Sequence, residues 1–140
     1  MPKNPLFIDT AYVYAIINPH DQWHEKAIEW QRQVVSENLS LVTTQFILAE
    51  IADGLAAVKF RRQAAQIIHT LEENSLIEVI SASSKLFQAG FELYENRQDK
   101  DWGLTDCISF VVMTERSLTD ALTVDEHFRQ AGFRPLLLAN

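Results

Sequence analysis

Residues 104–133 read LTDCISFVVMTERSLTDALTVDEHFRQAGF. The opening run, LTDCISFVVMTERS, is apolar almost all round, which predicts a helix covered on every side rather than one lying on a surface. DALTVD follows with the short apolar pattern of a buried strand. DEHFRQAG then reads as a short helix stopped by Gly132. A buried helix that leads into a strand and then another helix is the building unit of an α/β fold with a parallel sheet.

The same alternation runs through the rest of the chain. PLFID is expected to be a strand and TAYVYAIIN the helix after it. Asp21 is expected to cap a second helix reaching about Glu37, with Trp23, Ala27, Trp30 and Val34 on one apolar stripe. SLVTT is a second strand, and Ile47, Ile51 and Leu55 give QFILAEIADGLAA an amphipathic helical face. FRRQAAQIIHTLEEN continues as a helix, and LIEVIS is a third strand. SSKLFQAGFELYENR opens with a serine cap and is expected to bury Phe87, Phe91 and Tyr94. RPLLL closes as a last strand. The expected architecture is one α/β domain over residues 1–140, with a short parallel sheet of four or five strands and helices on both faces.

Composition bounds the function classes. A chain of 140 residues with 47% hydrophobic content fits one well-packed domain. No stretch approaches the roughly 18 apolar residues of a membrane span, and MPKNPLFIDT lacks the apolar run of a signal peptide. The expected location is therefore the cytoplasm. Cys107, the sole cysteine, excludes an intramolecular disulfide and a thiolate metal cage. Its apolar neighbours predict a small buried side chain. The net charge of −7 argues against a broad basic surface for nucleic acid.

Four acids stand out against this background. Asp9 closes PLFID and Asp125 closes ALTVD, and in open parallel sheets ligands gather beyond the carboxyl ends of the strands. Glu50 lies among the apolar positions of its helix, and Asp106 in the first turn of the buried helix. Singly, each has a plain structural reading as a cap, a dipole partner or a solvated side chain. Gathered at one end of a sheet, they would repel by about 4 kcal/mol per pair at ~4 Å and an effective dielectric near 20. A divalent cation removes that repulsion, and all-oxygen ligation suits Mg²⁺ or Mn²⁺ rather than zinc. The hydroxyls of Thr10 and Thr105, each beside a site acid, are candidates to orient a carboxylate or water.

FIDT, TTQFILAEI, DKDWGLTDCISF and ALTVDEHFRQAGF occur in this order and together resemble the PIN-domain nucleases, in particular the VapC-like toxin subunit of bacterial toxin–antitoxin pairs. The likeness runs from Phe7 to Phe133. It implies that Asp9, Glu50, Asp106 and Asp125 bind metal and that the chain cleaves single-stranded RNA. It also implies a small antitoxin bound across the active-site groove and a homodimer paired through helices. Gly103 departs from the small hydroxyl residue that many relatives carry after the Trp.

Other residues carry weaker signals. His20 and His24 have i, i+4 spacing but no nearby third ligand. His69 reads as a packed or surface residue; His127, just after Asp125, could approach a substrate, although packing or exposure is the plainer reading. Asp99 and Asp101 suit a solvated loop better than a second metal. Lys59, Arg61 and Arg62, with Phe60, form the densest basic patch and are candidate RNA contacts. Trp102 is expected to shape the loop before the buried helix. Two rival functions follow from the same residues. A non-catalytic PIN-like module that binds RNA or protein would have no need of a repulsive acid cluster. A phospho-acceptor receiver would need an acceptor Asp after the third strand and a Lys after the last, which LIEVISASS and LLLAN do not supply.

Overall fold

Leu6–Ile8 and Leu41–Thr44 are short runs whose every side chain is buried, so neither shows the inside–outside alternation of a half-exposed strand. In the computed structural model, which describes residues 4–138, they are β1 and β2 at the heart of a five-stranded sheet. The chain order is β1, α1 (Thr10–Ile17), α2 (His24–Ser36), β2, α3 (Gln45–Gly54), α4 (Val58–Glu73), β3 (Ile77–Ile80) and α5 (Ser84–Asn96). It continues with α6 (Leu104–Glu115), β4 (Asp120–Leu122), α7 (Glu126–Gln130) and β5 (Arg134–Pro135).

All four strand pairings are parallel, and the order across the sheet is β3-β2-β1-β4-β5. The chain therefore moves outward from β1 to β3 and then returns to the other side of β1. Right-handed crossovers in opposite directions place their helices on opposite faces. The contacts agree, since α1 to α4 pack as one group and α5 to α7 as another. The reversal falls between β1 and β4, which opens a crevice at their carboxyl ends.

Fully buried Phe7, Ile8, Ile47, Ile51, Ile108, Met113, Leu122 and Phe128 make up the centre of the core. Phe110 stands edge-on to both Trp102 and Phe128, at 5.0 and 4.9 Å between ring centroids. That aromatic chain ties the loop before α6 to α7. Inside the sheet, Thr43 Oγ1 donates to the Ile8 carbonyl (3.0 Å), so this buried hydroxyl is satisfied by the neighbouring strand. Cys107 is free and buried, as its apolar neighbours predict. Among the described residues no helix is long and apolar enough to cross a membrane.

Several expectations are revised. Asp21 does not cap α2. Its carboxylate accepts from Trp23 N (2.8 Å) in a local turn, and the helix begins at His24. β4 and β5 are shorter than DALTVD and RPLLL suggest, so Asp125 lies three residues beyond its strand and occupies the N-cap of α7. Gly132 does end α7. At φ +98° it allows Phe133 N to reach the Phe128 carbonyl (2.9 Å) and Gly132 N the Arg129 carbonyl (3.0 Å), a Schellman closure.

The clearest correction concerns α5. Phe87, Phe91 and Tyr94 are not buried but 39%, 36% and 47% exposed, stacked along the outside of the helix. The inward side carries Leu86 and Gly90. Gly90 lets α5 approach α6 so closely that a Cβ there would sit 2.3 Å from Ile108 Cγ1 and 3.1 Å from Ile108 Cα. A small residue at the closest approach of the two helices selected the packing side over the aromatic stripe. Gly90→Ala is expected to lower stability by about 1–3 kcal/mol through overpacking, read from the denaturant midpoint.

Candidate metal centre

Asp9 follows β1 directly, in extended backbone (φ −99°, ψ 161°), and precedes the first residue of α1. At the N-cap position its carboxylate could satisfy the helix, yet it forms no capping hydrogen bond. It accepts instead from Thr123 Oγ1 (2.7 Å), just beyond β4. The same hydroxyl accepts from Asp125 N (3.0 Å). One buried side chain thus fixes Asp9 and the backbone at Asp125 together. The sequence reading did not single out Thr123; its only signal was a hydroxyl two residues before a site acid.

Glu50 projects from α3 and accepts a hydrogen bond from Thr10 Oγ1. Behind it, Tyr14 Oη donates to the carbonyls of Glu50 (3.0 Å) and Ile51 (3.3 Å). Gly54 makes room for this tyrosine, since a Cβ there would lie 1.8 Å from Tyr14 Oη. These contacts join α1 to α3 and set Glu50 relative to Asp9. Thr105 engages through its carbonyl, which accepts from Ser109 Oγ (3.1 Å), rather than through a bond from its hydroxyl to a carboxylate.

Asp106 is the third residue of α6 and turns back toward the start of the helix, where Oδ2 accepts from Gly103 N (3.3 Å). A Cβ on Gly103 would meet nothing closer than Asp106 Oδ2 at 4.0 Å, so the absent hydroxyl side chain costs the loop no packing. Asp125 Oδ1 accepts from His127 N (2.8 Å) at the start of α7. The His127 ring lies between the two acids, with Nδ1 3.1 Å from Asp106 Oδ2 and 3.4 Å from Asp125 Oδ1. Asp106, Asp125 and His127 each offer a donor atom within 4.8 Å of the others. A contact of His127 with Asp106 has no signal in the sequence, because nothing in the chain order reveals that α7 lies against the start of α6.

The electrostatics are those of a site with too much negative charge. Burial pushes the Asp9 carboxyl up to about 7, and the charges of Asp106 and Glu50 add to the rise. The Thr123 and Thr10 hydrogen bonds oppose it only in part. Asp106 is raised as well, first by burial and then by Asp125, with His127 pulling the other way. Among the described residues, neither is balanced by a lysine or arginine. Hard oxygen donors gathered without a counter-cation fit a divalent ion.

Other candidates fall outside this centre. His24 Nδ1 is engaged by the Ala15 carbonyl (2.7 Å), and His20 lies in the turn before α2, so the two share no helix face. Asp99 grips Arg97 through two 3.1 Å hydrogen bonds, and Asp101 is an exposed loop residue. Trp102 is buried, donates from Nε1 to Gln130 Oε1 (2.9 Å) and shapes the loop before α6 as expected. Lys59, Arg61 and Arg62 are exposed in the first turns of α4, where the helix dipole disfavours cations.

Comparison with known proteins gives a consistent picture. The sequence pattern of the PIN domain matches residues 6–134. The 23S rRNA-specific endonuclease VapC20 of Mycobacterium tuberculosis is 23% identical over 128 residues, covering 91% of this chain and 95% of that protein. The crystal structure of M. tuberculosis VapC20, a sarcin–ricin loop cleaving toxin, superposes with a TM-score of 0.77 at 22% identity, over 91% of this chain and 95% of that one. FitAcB from Neisseria gonorrhoeae superposes with a TM-score of 0.66 at 16% identity, over 93% and 94%.

The raised Asp9 carboxyl makes the metal-free protein pH-sensitive in a defined direction. Its folded value near 7 lies above the ordinary 3.8, so the native state holds the extra proton between those limits. The penalty of ionising it in place is absent below about 3.8 and complete above about 7. In the presence of chelator, Asp9→Asn should therefore raise stability by roughly 2–4 kcal/mol at pH 8, a gap that closes toward pH 4. Denaturant melts at the two pH values measure it.

Proposed function

Because this chain belongs to the PIN-domain family, we propose that it is a divalent-metal-dependent endoribonuclease, built as one PIN-like domain, in which Asp9, Glu50, Asp106 and Asp125 hold the cation. The observation that carries the reading is Asp9 itself: a carboxylate at the switch point of the sheet, raised first by burial and then by Asp106 and Glu50, and offset by no lysine or arginine among the described residues. Such an arrangement disfavours folding unless a cation completes it.

A bound Mg²⁺ or Mn²⁺ supplies Lewis-acid activation of water and offsets charge on the phosphodiester. The chain's own groups do the positioning. Thr123 fixes the face that Asp9 presents, Thr10 and Tyr14 fix Glu50, and the first turn of α6 fixes Asp106. Water adds to phosphorus and gives a proton to a site carboxylate, while the P–O bond to one sugar oxygen breaks and that oxygen leaves as a hydroxyl, taking up a proton from solvent. Lys59, Arg61 and Arg62, exposed on the first turns of α4, are assigned to the RNA backbone, with Phe60 beside Lys59 available to a base.

The likeness to VapC20, a 23S rRNA-specific endonuclease and toxin, supports the role of a toxin that acts on RNA. By the same reading, the chain forms a homodimer and is silenced by a small antitoxin. Cleavage of single-stranded RNA should need Mg²⁺ or Mn²⁺, and Asp9→Asn should lower it by about 10²-fold or more. Cleavage that survives both EDTA and the substitution would sink the metal mechanism. Expression of the chain alone should slow growth, and a small protein encoded beside it should relieve that; harmless accumulation of folded protein would refute the toxin role.

A further inference from the structure

Three of the donors in this centre are not alike. Asp106 and Asp125 offer oxygen, and between them stands the imidazole of His127. Its Nδ1 lies 3.1 Å from Asp106 Oδ2 and 3.4 Å from Asp125 Oδ1. An octahedral shell with ligands at ~2.1 Å sets neighbouring donors ~3 Å apart. The two separations from Nδ1 are therefore close to those of adjacent ligands around one ion, and all three donors lie within 4.8 Å of one another. In the metal-free protein the same spacing allows a hydrogen bond, so the ring is held in place either way.

The fold also gives the ring little freedom. His127 is the second residue of α7, and its own N–H is committed to Asp125 Oδ1. The next residue, Phe128, is fully buried and packed edge-on to Phe110, while the Schellman closure fixes the far end of the helix. His127 thus stays beside the acids because its neighbour is anchored in the core.

We infer that His127 is a nitrogen ligand of the cation held by Asp106 and Asp125, and that it biases the site toward Mn²⁺ over Mg²⁺. An imidazole is a poor ligand for Mg²⁺, which takes oxygen donors and keeps its waters, and a better one for first-row transition ions. As a ligand, the neutral ring would carry its proton on Nε2 and turn the Nδ1 lone pair to the ion, in place of the Nδ1 contact with Asp106. The inference rests on the metal-centre reading above, but it concerns which ion is selected rather than whether one is used.

The test is spectroscopic and needs no turnover. With Mn²⁺ as the probe, electron spin-echo modulation of the wild-type protein should show ¹⁴N coupling from a directly bound imidazole. His127→Gln should remove that coupling and lower the ratio of Mn²⁺ to Mg²⁺ affinity by about tenfold or more, measured by calorimetric titration. Bound Mn²⁺ without ¹⁴N coupling in the wild type overturns the inference, and this result does not depend on how well the variant folds. Coupling that persists in His127→Gln, or an unchanged affinity ratio in a folded variant, overturns it equally. Failure of the wild type to bind either ion refutes the metal-centre reading itself and the inference with it.

Discussion

The carboxylate of Asp9 lies at the carboxyl end of the central strand with only 6% of the residue exposed, and the rest of the site is arranged around it. A charge in that position loses most of its hydration, and the chain returns only hydrogen bonds in exchange. Thr123 provides the strongest of them and, through its second contact, sets the path of the chain into α7. Asp106 and Glu50 approach from helices on opposite faces of the sheet and increase the strain rather than relieve it. Under the proposed function, stability and activity are opposed at this residue: the change that relaxes the fold is the one that removes a carboxylate proposed to hold the cation.

Holding such a cluster requires rigid support. The sheet meets that need with β1 and β2 wholly buried at its centre, and the helices with close contacts that leave little slack. Gly54 and Gly90 serve the same purpose on the two faces, one admitting Tyr14 against α3 and the other admitting α6 against α5. On the second face, Trp102, Phe110 and Phe128 link the loop before α6 to α7. Asp106, Asp125 and His127 are brought together by apolar packing beneath them as much as by their own hydrogen bonds.

The misreading of α5 shows where a one-dimensional pattern stops being informative. Phe87, Phe91 and Tyr94 form a helical stripe by periodicity, and the expectation that such a stripe faces the core is sound for an average helix. Periodicity identifies a face but not the direction in which it points. That direction was decided by Gly90, whose missing side chain permits a closer contact with α6 than any aromatic residue would. Asp21 gives a smaller version of the same lesson. A capping residue competes between the helix and its own local turn, and here the turn prevailed.

The sequence by itself determined the α/β alternation, the parallel sheet, and the acids Asp9, Asp106 and Asp125 near strand and helix termini, with Glu50 set among the apolar positions of α3. Those properties are local: they depend on runs of apolar residues, short polar breaks, and the placement of a carboxylate next to them. Membership of the PIN-domain family was also legible in the order of four motifs. The tertiary structure decided the rest. It selected Thr123 and His127 as partners of the acids, raised Asp9, and separated the aromatic face of α5 from the core. Each of these depends on elements far apart in the chain, Asp9 and Thr123 by 114 positions, and no local pattern records which side chains packing will bring together.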